Sequence, residues 1–249
     1  MIPTIKRNIL PFVNNYLYKF EFMPKLNEMT NNLDTKSVPD NLLKFFNKLL
    51  FFFGQQHWWP AETEFEVIIG AILTQNTAWA NVEKAISALK EKSMLTPDKL
   101  RAMSQDEIAS YIKPSGYFNQ KSKKIKIFLD FFHQSFSSDM EKMRNCDSQQ
   151  LRESLLNLFG IGRETADSIL LYALGKPYFV VDAYTRRIFS RHNFITESEN
   201  YESIRSFFEQ NLERNTYLYE EFHALIVKTG SLYCKKKPLC DICPLKEFL

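Results

Sequence analysis

Leu158-Phe159-Gly160-Ile161-Gly162-Arg163-Glu164-Thr165-Ala166-Asp167 is the stretch on which the fold turns. Two glycines one residue apart stand between segments of helical spacing: Leu151, Leu155 and Leu158 come before, and Ala166, Ile169, Leu170 and Ala173 after. The chain therefore reverses there, and two helices are joined by a tight hairpin. Such a turn calls for positive φ at one or both glycines, and without Cβ atoms the loop can press its backbone N–H groups against an anion. The helix opening at Arg163 aims its free N–H groups and positive dipole end the same way. Gly160, Gly162, Arg163 and Thr165 are thus candidates for gripping phosphate without reading a base. An ordinary glycine turn between packed helices has the same local pattern, and the residue that separates the two readings lies downstream.

That residue is Asp182. The apolar run Tyr178-Phe179-Val180-Val181 stops at it, and Ala183-Tyr184-Thr185-Arg186-Arg187-Ile188 reads as a helix. Its position makes it an N-cap. A carboxylate held at a helix N-terminus is also placed to stabilise a developing cation or to orient a water beside it.

Leu-x-Gly-x-Gly paired with a downstream Val-Asp resembles the helix–hairpin–helix DNA glycosylases of the endonuclease III superfamily. The likeness is closest to the 3-methyladenine glycosylase branch and runs from about Trp58 through Cys243. It implies an all-α fold of two helical lobes. Residues 67–176 would form a six-helix, barrel-like domain carrying the hairpin, and 40–66 with 177–249 a second helical domain with a Cys-rich loop. Residues 1–39 would be an N-terminal extension. Bifunctional members carry a Schiff-base lysine where this chain has Glu164. The resemblance therefore implies a monofunctional N-glycosylase without lyase activity, needing no catalytic cofactor, whose partner is duplex DNA with a damaged base. Two alternatives stay open: a glycosylase for mismatched adenine, thymine or uracil, and a non-catalytic DNA-binding module. A mere backbone clamp, however, has no use for Asp182.

All three tryptophans fall between residues 58 and 79. Core packing is the common fate of any one of them. Trp58-Trp59-Pro60 nevertheless lies in an interhelical segment, and Trp79 opens a helix just after Gln75-Asn76-Thr77. In the resembling branch the positions of Trp58, Pro60 and Trp79 sandwich the flipped base, with Trp59 alongside. An alkylated purine carries positive charge, which an indole face attracts. In the same superfamily a polar side chain near Gln75 or Asn76 fills the hole left by the extruded nucleotide. Either residue could equally cap the helix beginning near Ala78.

Further helices are expected over 78–92, 96–103, 105–112, 119–136, 201–212 and 216–229, with a turn at Lys113-Pro114-Ser115-Gly116. A helix near Pro39-Asp40 should turn Leu42, Leu43, Phe46 and Leu49 inward. No alternating β pattern of any length is present. Lys121, Lys123, Lys124 and Lys126 read either as a phosphate-facing strip or as a solvated face. Arg186, Arg187 and Arg191 are further candidates for phosphate contact, and His223 reads as a helix-packing histidine.

The tail Cys234-Lys235-Lys236-Lys237-Pro238-Leu239-Cys240-Asp241-Ile242-Cys243 resembles the superfamily's C-terminal loop, where four thiolates hold a structural 4Fe-4S cluster. Here the first spacing is one residue short, and Leu249 stands where the fourth cysteine belongs. Cys146 is far off in sequence. A cluster with a non-cysteine ligand, a degenerate loop and a three-cysteine zinc site on Cys234, Cys240 and Cys243 all remain open. Lys235, Lys236 and Lys237 would face the DNA backbone.

Composition sets the frame. A chain of 249 residues, 45% hydrophobic, can bury a sizeable core, and a net charge of +3 permits nucleic-acid binding without requiring it. No apolar run reaches the roughly 18 residues of a membrane span. Four cysteines, three of them crowded at the end, point to a reducing intracellular compartment rather than a secretory disulfide framework. A monomer is expected. Residues 1–20, with Lys6, Arg7 and Lys19, lack the Arg- and Ser-rich amphipathic run of a presequence.

Overall fold

The computed structural model describes residues 37–249, and the readings of the first 36 residues lie outside them. Helix α1 is Val38–Phe53, capped by the Ser37 hydroxyl. It buries Leu42, Phe45, Phe46 and Leu49, whereas Leu43 is 38% exposed. The expected inward face is thus rotated to take Phe45 in place of Leu43, because Phe45 finds Phe189, Phe194 and Phe248 around it.

Polar caps set most of the following boundaries. Thr63 starts α2 (Glu64–Leu73), and α3 (Trp79–Glu91) follows from Ala78 without a side-chain cap. Thr96 caps α4 (Pro97–Ala102), and a reciprocal Ser104–Glu107 box starts α5 (Gln105–Tyr111). After a 3-10 turn at Lys113–Ser115 comes α6 (Phe118–Phe136). Asp139 and Asp147 cap α7 (Met140–Asn145) and α8 (Ser148–Leu156). Beyond the glycine hairpin, α9 (Arg163–Ser168) runs into a π-helical turn at Ile169–Ala173. Then come α10 (Ala183–Arg191), α11 (Tyr201–Asn211) and α12 (Thr216–Leu232), capped by Asp182, Asn200 and Asn215. No strand occurs among the described residues, so the fold is all-α.

Helices α2 to α9 pack largely on one another, while α1, α10, α11 and α12 pack together, with α12 lying against the π turn. One cluster of buried apolar side chains runs through both groups. The hairpin is held from behind by a buried ion pair. Arg152 of α8 meets Asp167 of α9 at 2.6 Å, and the Tyr201 hydroxyl of α11 donates to the same carboxylate at 2.9 Å. The expectation of a hairpin between two helices is met, and its apolar second helix proves to change pitch at Ile169.

Candidate active site

Of the two glycines only Gly160 has positive φ, at 81°. Gly162 is extended (φ −89°, ψ 178°) and caps α9 with no side chain over its free N–H groups. A Cβ at position 160 would also collide with the Lys124 side chain. Phe159 stands 60% exposed at the tip, with the Lys123 ammonium 4.8 Å above its ring.

Gln75 does not project as a free wedge. Its Nε2 donates to the Gly160 carbonyl (3.0 Å) and to Thr165 Oγ1 (2.9 Å), and its Oε1 accepts from Lys124. That knot ties the α2–α3 loop to the hairpin across more than 80 residues of sequence. Thr165, expected to face DNA, is 7% exposed and turns its hydroxyl inward to complete the knot. Asn76, by contrast, is exposed and left-handed (φ 52°) at the loop's apex. Neither residue caps α3. Arg163 remains mostly open and pairs with Glu202 at 3.0 Å.

Three of the four lysines of the α6 strip are drawn into protein contacts, and Lys123 alone stays exposed, over Phe159. Lys121 is 1% exposed and donates to the Leu73 carbonyl, Thr77 Oγ1 and the Ser115 carbonyl at 2.7–2.8 Å. Lys126 donates to the Arg101 and Met103 carbonyls, and Lys124 belongs to the Gln75 knot. The arginines of α10 are likewise turned to protein. Arg186 holds the Glu197 and Glu199 carbonyls, Arg187 the Cys234 carbonyl, and Arg191 the Cys234 thiol with the Lys235 and Lys236 carbonyls. In each case a long basic side chain reaches a carbonyl or thiol that no spacing in the sequence announces.

The three tryptophans meet. Ring centroids of Trp58 and Trp79 are 4.7 Å apart, those of Trp59 and Trp79 5.3 Å, and those of Trp58 and Trp59 5.4 Å. Their loop is anchored to α12, where Gln55 bonds Tyr217 and the Gln56 N–H donates to Glu221. Trp59 seats its indole on Gly70, where a Cβ would come within 3.1 Å, and its other edge on Tyr172, 5.4 Å between centroids. Pro60 lies exposed beside them. All three tryptophans are half-buried, so each keeps surface open to solvent.

From Tyr172 the contacts continue inward. Its hydroxyl is 2.7 Å from His223 Nδ1, and His223 Nε2 is 3.8 Å from Asp182 Oδ2. Asp182 uses its other oxygen as the expected N-cap, accepting from the Thr185 N–H (2.7 Å) and hydroxyl (2.8 Å). Glu164, in the first turn of α9, feels the Asp182 charge. Its side chain emerges at the exposed rim, yet the protein crowding its inner side, with the Asp182 carboxylate second, pushes it up to about 7. Burial pulls His223 below its ordinary value, while Asp182 opposes that shift. His223 is therefore more than the packing histidine expected: one nitrogen faces the candidate carboxylate. A lone histidine on an apolar helix carried no signal of this, since the partner lies 41 residues away.

Cys234, Cys240, Cys243 and Leu249 line one cavity of about 30 Å³, room for about one or two waters. The Leu249 side chain offers no ligand, Arg191 Nη1 sits 3.2 Å from Cys234 Sγ, and no group of three or more metal-ligating side chains is arranged for an ion among the described residues. As placed, the three thiols do not gather into a cluster site closed by a non-cysteine ligand, nor into a three-cysteine zinc site. The loop is closed instead by Arg187 and Arg191. Cys146 is a free thiol whose carbonyl accepts from Lys176.

Comparison with known proteins gives a consistent result. Residues 69–214 match the HhH-GPD superfamily base excision DNA repair protein family. The DNA repair glycosylase MJ1434 of Methanocaldococcus jannaschii, itself named only provisionally, is 46% identical over 208 residues, covering 83% of this chain and 94% of its own. Endonuclease III of Sulfolobus acidocaldarius is 30% identical over 186 residues, 74% of this chain and 80% of its own. The solved structure of the H. pylori 3-methyladenine DNA glycosylase MagIII bound to 1,N6-ethenoadenine matches with a TM-score of 0.68 at 30% identity, covering 78% of this chain and 97% of that one. A non-covalent endonuclease III–DNA complex matches with a TM-score of 0.72 at 20% identity over 86% and 95%, a likeness of fold.

Proposed function

The chain belongs to the HhH-GPD superfamily of base excision DNA repair proteins, and from that premise we propose that it is a monofunctional N-glycosylase removing alkylated purines, 3-methyladenine foremost, from duplex DNA. One observation carries the reading: an unbroken line of contacts from the indole cluster through Tyr172 and His223 to Asp182. It supports a site in which a base stacked on indoles and a carboxylate near its sugar belong to one pocket.

In this reading the backbone of Gly160, Gly162 and Arg163 grips phosphate, with the Gln75–Thr165 knot holding that backbone in shape. Asn76 takes the place of the extruded nucleotide, offsetting an unstacking cost of about a few kcal/mol. Trp58, Trp59, Pro60 and Trp79 receive the base. The cationic ring is drawn to the electron-rich indole faces more strongly than a neutral base. Methylation has already weakened the glycosidic bond, so stacking and one carboxylate suffice. Asp182 stabilises the oxocarbenium-like sugar by charge. Glu164 supplies no amine and so forms no Schiff base, leaving an abasic site.

The test is to incubate the protein with methylated duplex and with duplexes containing uracil or mismatched adenine or thymine, then identify the released bases. Release of 3-methyladenine with no borohydride-trappable adduct is expected. Release of a pyrimidine alone would replace the lesion class, and a trapped adduct would contradict the absence of lyase activity.

A further inference from the structure

His223 is 6% exposed, and its Nε2 has no hydrogen-bond partner among the described residues although it points at Asp182. A buried orphan nitrogen is costly, and native structures rarely carry one without use. We assign the tautomer from the other side of the ring. The Tyr172 hydroxyl has one proton for two neighbours; given to the Glu220 carbonyl at 3.2 Å, which can only accept, it leaves the phenol oxygen to accept from Nδ1–H at 2.7 Å. Burial, with the charges of Glu220, Asp182 and Glu221 around it, holds that phenol protonated. In this tautomer Nε2 presents a lone pair to a carboxylate oxygen 3.8 Å away. Two acceptors face each other at a distance too long for a shared proton, and a molecule donating two hydrogens satisfies both.

Resting on the reading of Asp182 as the carboxylate of the site, we propose that His223 Nε2 and Asp182 Oδ2 together hold the hydrolytic water, and that His223 takes its proton. The water donates one hydrogen to each acceptor and keeps its oxygen lone pair free for the sugar. As the C1′–N bond breaks, its electron pair leaves with the base. The water oxygen then forms the C1′–O bond, and one water proton passes to Nε2, giving an imidazolium beside the Asp182 carboxylate that later releases the proton to solvent. Burial lowers the histidine pKa, which favours the neutral, accepting form. The pitch change at Ile169–Ala173 belongs to the same device, since π turns recur at functional sites and this one carries Tyr172.

Two substitutions separate this role from packing. In His223→Gln the side-chain amide reaches the position of Nε2, and in His223→Asn it reaches only that of Nδ1. Excision from methylated duplex is measured for the full-length chain under single-turnover and steady-state conditions, alongside binding to abasic-site duplex and thermal unfolding. Expected is a loss in kcat of about 100-fold for His223→Asn, with KM and abasic-site binding unchanged, and a smaller loss of about tenfold for His223→Gln, whose amide oxygen still orients the water but cannot take its proton, which then passes to solvent. Equal rates for the two variants, or losses confined to KM and to the unfolding temperature, would overturn the proposal while leaving Asp182 in place. A wild-type protein that releases no base from any of the duplexes above would overturn it together with the glycosylase reading.

Discussion

Gly160 combines two demands that no other residue type meets. Its φ of 81° lies in the left-handed region, and the space a Cβ would occupy belongs to Lys124. Gly160→Ala is expected to lower stability by about 2 kcal/mol and to weaken DNA binding more than base release, as read by chemical denaturation and by filter binding. Glu164 supplies a second prediction at this scale. Its pKa is raised from an ordinary 4.5 to about 7, so between those values the folded chain holds a proton that the unfolded chain has released. Stability therefore falls as pH rises from about 4.5 to 7, and Glu164→Gln should flatten that decline in unfolding curves taken across the window. Ionised Glu164 adds negative charge beside Asp182, and in the proposed reading that charge acts on the sugar. Excision should accordingly rise as pH passes through about 7, and the rise should vanish in the same variant. The N-cap at Asp182 and the left-handed turn at Gly160 were both legible in the sequence, because an apolar run ending at Asp and a glycine pair between helices are local signals. His223, Gln75 and Thr165 were not, since their roles depend on partners 41, 85 and 90 residues away that no local pattern names.

At the scale of elements, the hairpin's shape depends on the staple behind it. Asp167 is fully buried and is compensated by Arg152 and Tyr201. Arg152→Met should destabilise the fold by about 3–5 kcal/mol, because it strands a buried charge, while Arg152→Met combined with Asp167→Leu should recover much of the loss. Urea unfolding of the two variants checks this. The C-terminal loop behaves in the opposite sense. With Arg191 on the Cys234 thiol and on two carbonyls, chelation should leave both unfolding and base release unchanged. Arg191→Leu should cost about 1 kcal/mol and raise hydrogen exchange in residues 234–243. Helix spans came close to the sequence reading because Ser, Thr, Asp and Asn caps mark most starts. The direction of the basic side chains did not, for periodicity says which face a lysine or arginine occupies and nothing about which carbonyl it reaches.

For the molecule as a whole, the two packing groups meet where α12 lies on the π turn, and there Tyr172, His223 and Asp182 come together. We propose that residues 67–176 form one lobe and 40–66 with 177–249 the other, with DNA crossing the seam. The site then needs both lobes: the hairpin grips the backbone from one, and Asp182 and His223 act from the other. No helix among the described residues is long and apolar enough to cross a membrane. The most direct test of the account is base release from methylated duplex by Asp182→Asn beside the wild type, with abasic-site binding measured in parallel. A fall of at least about 10²-fold in release with binding retained is the predicted result. Release at the wild-type rate would remove Asp182 from the chemistry and with it the account built on it.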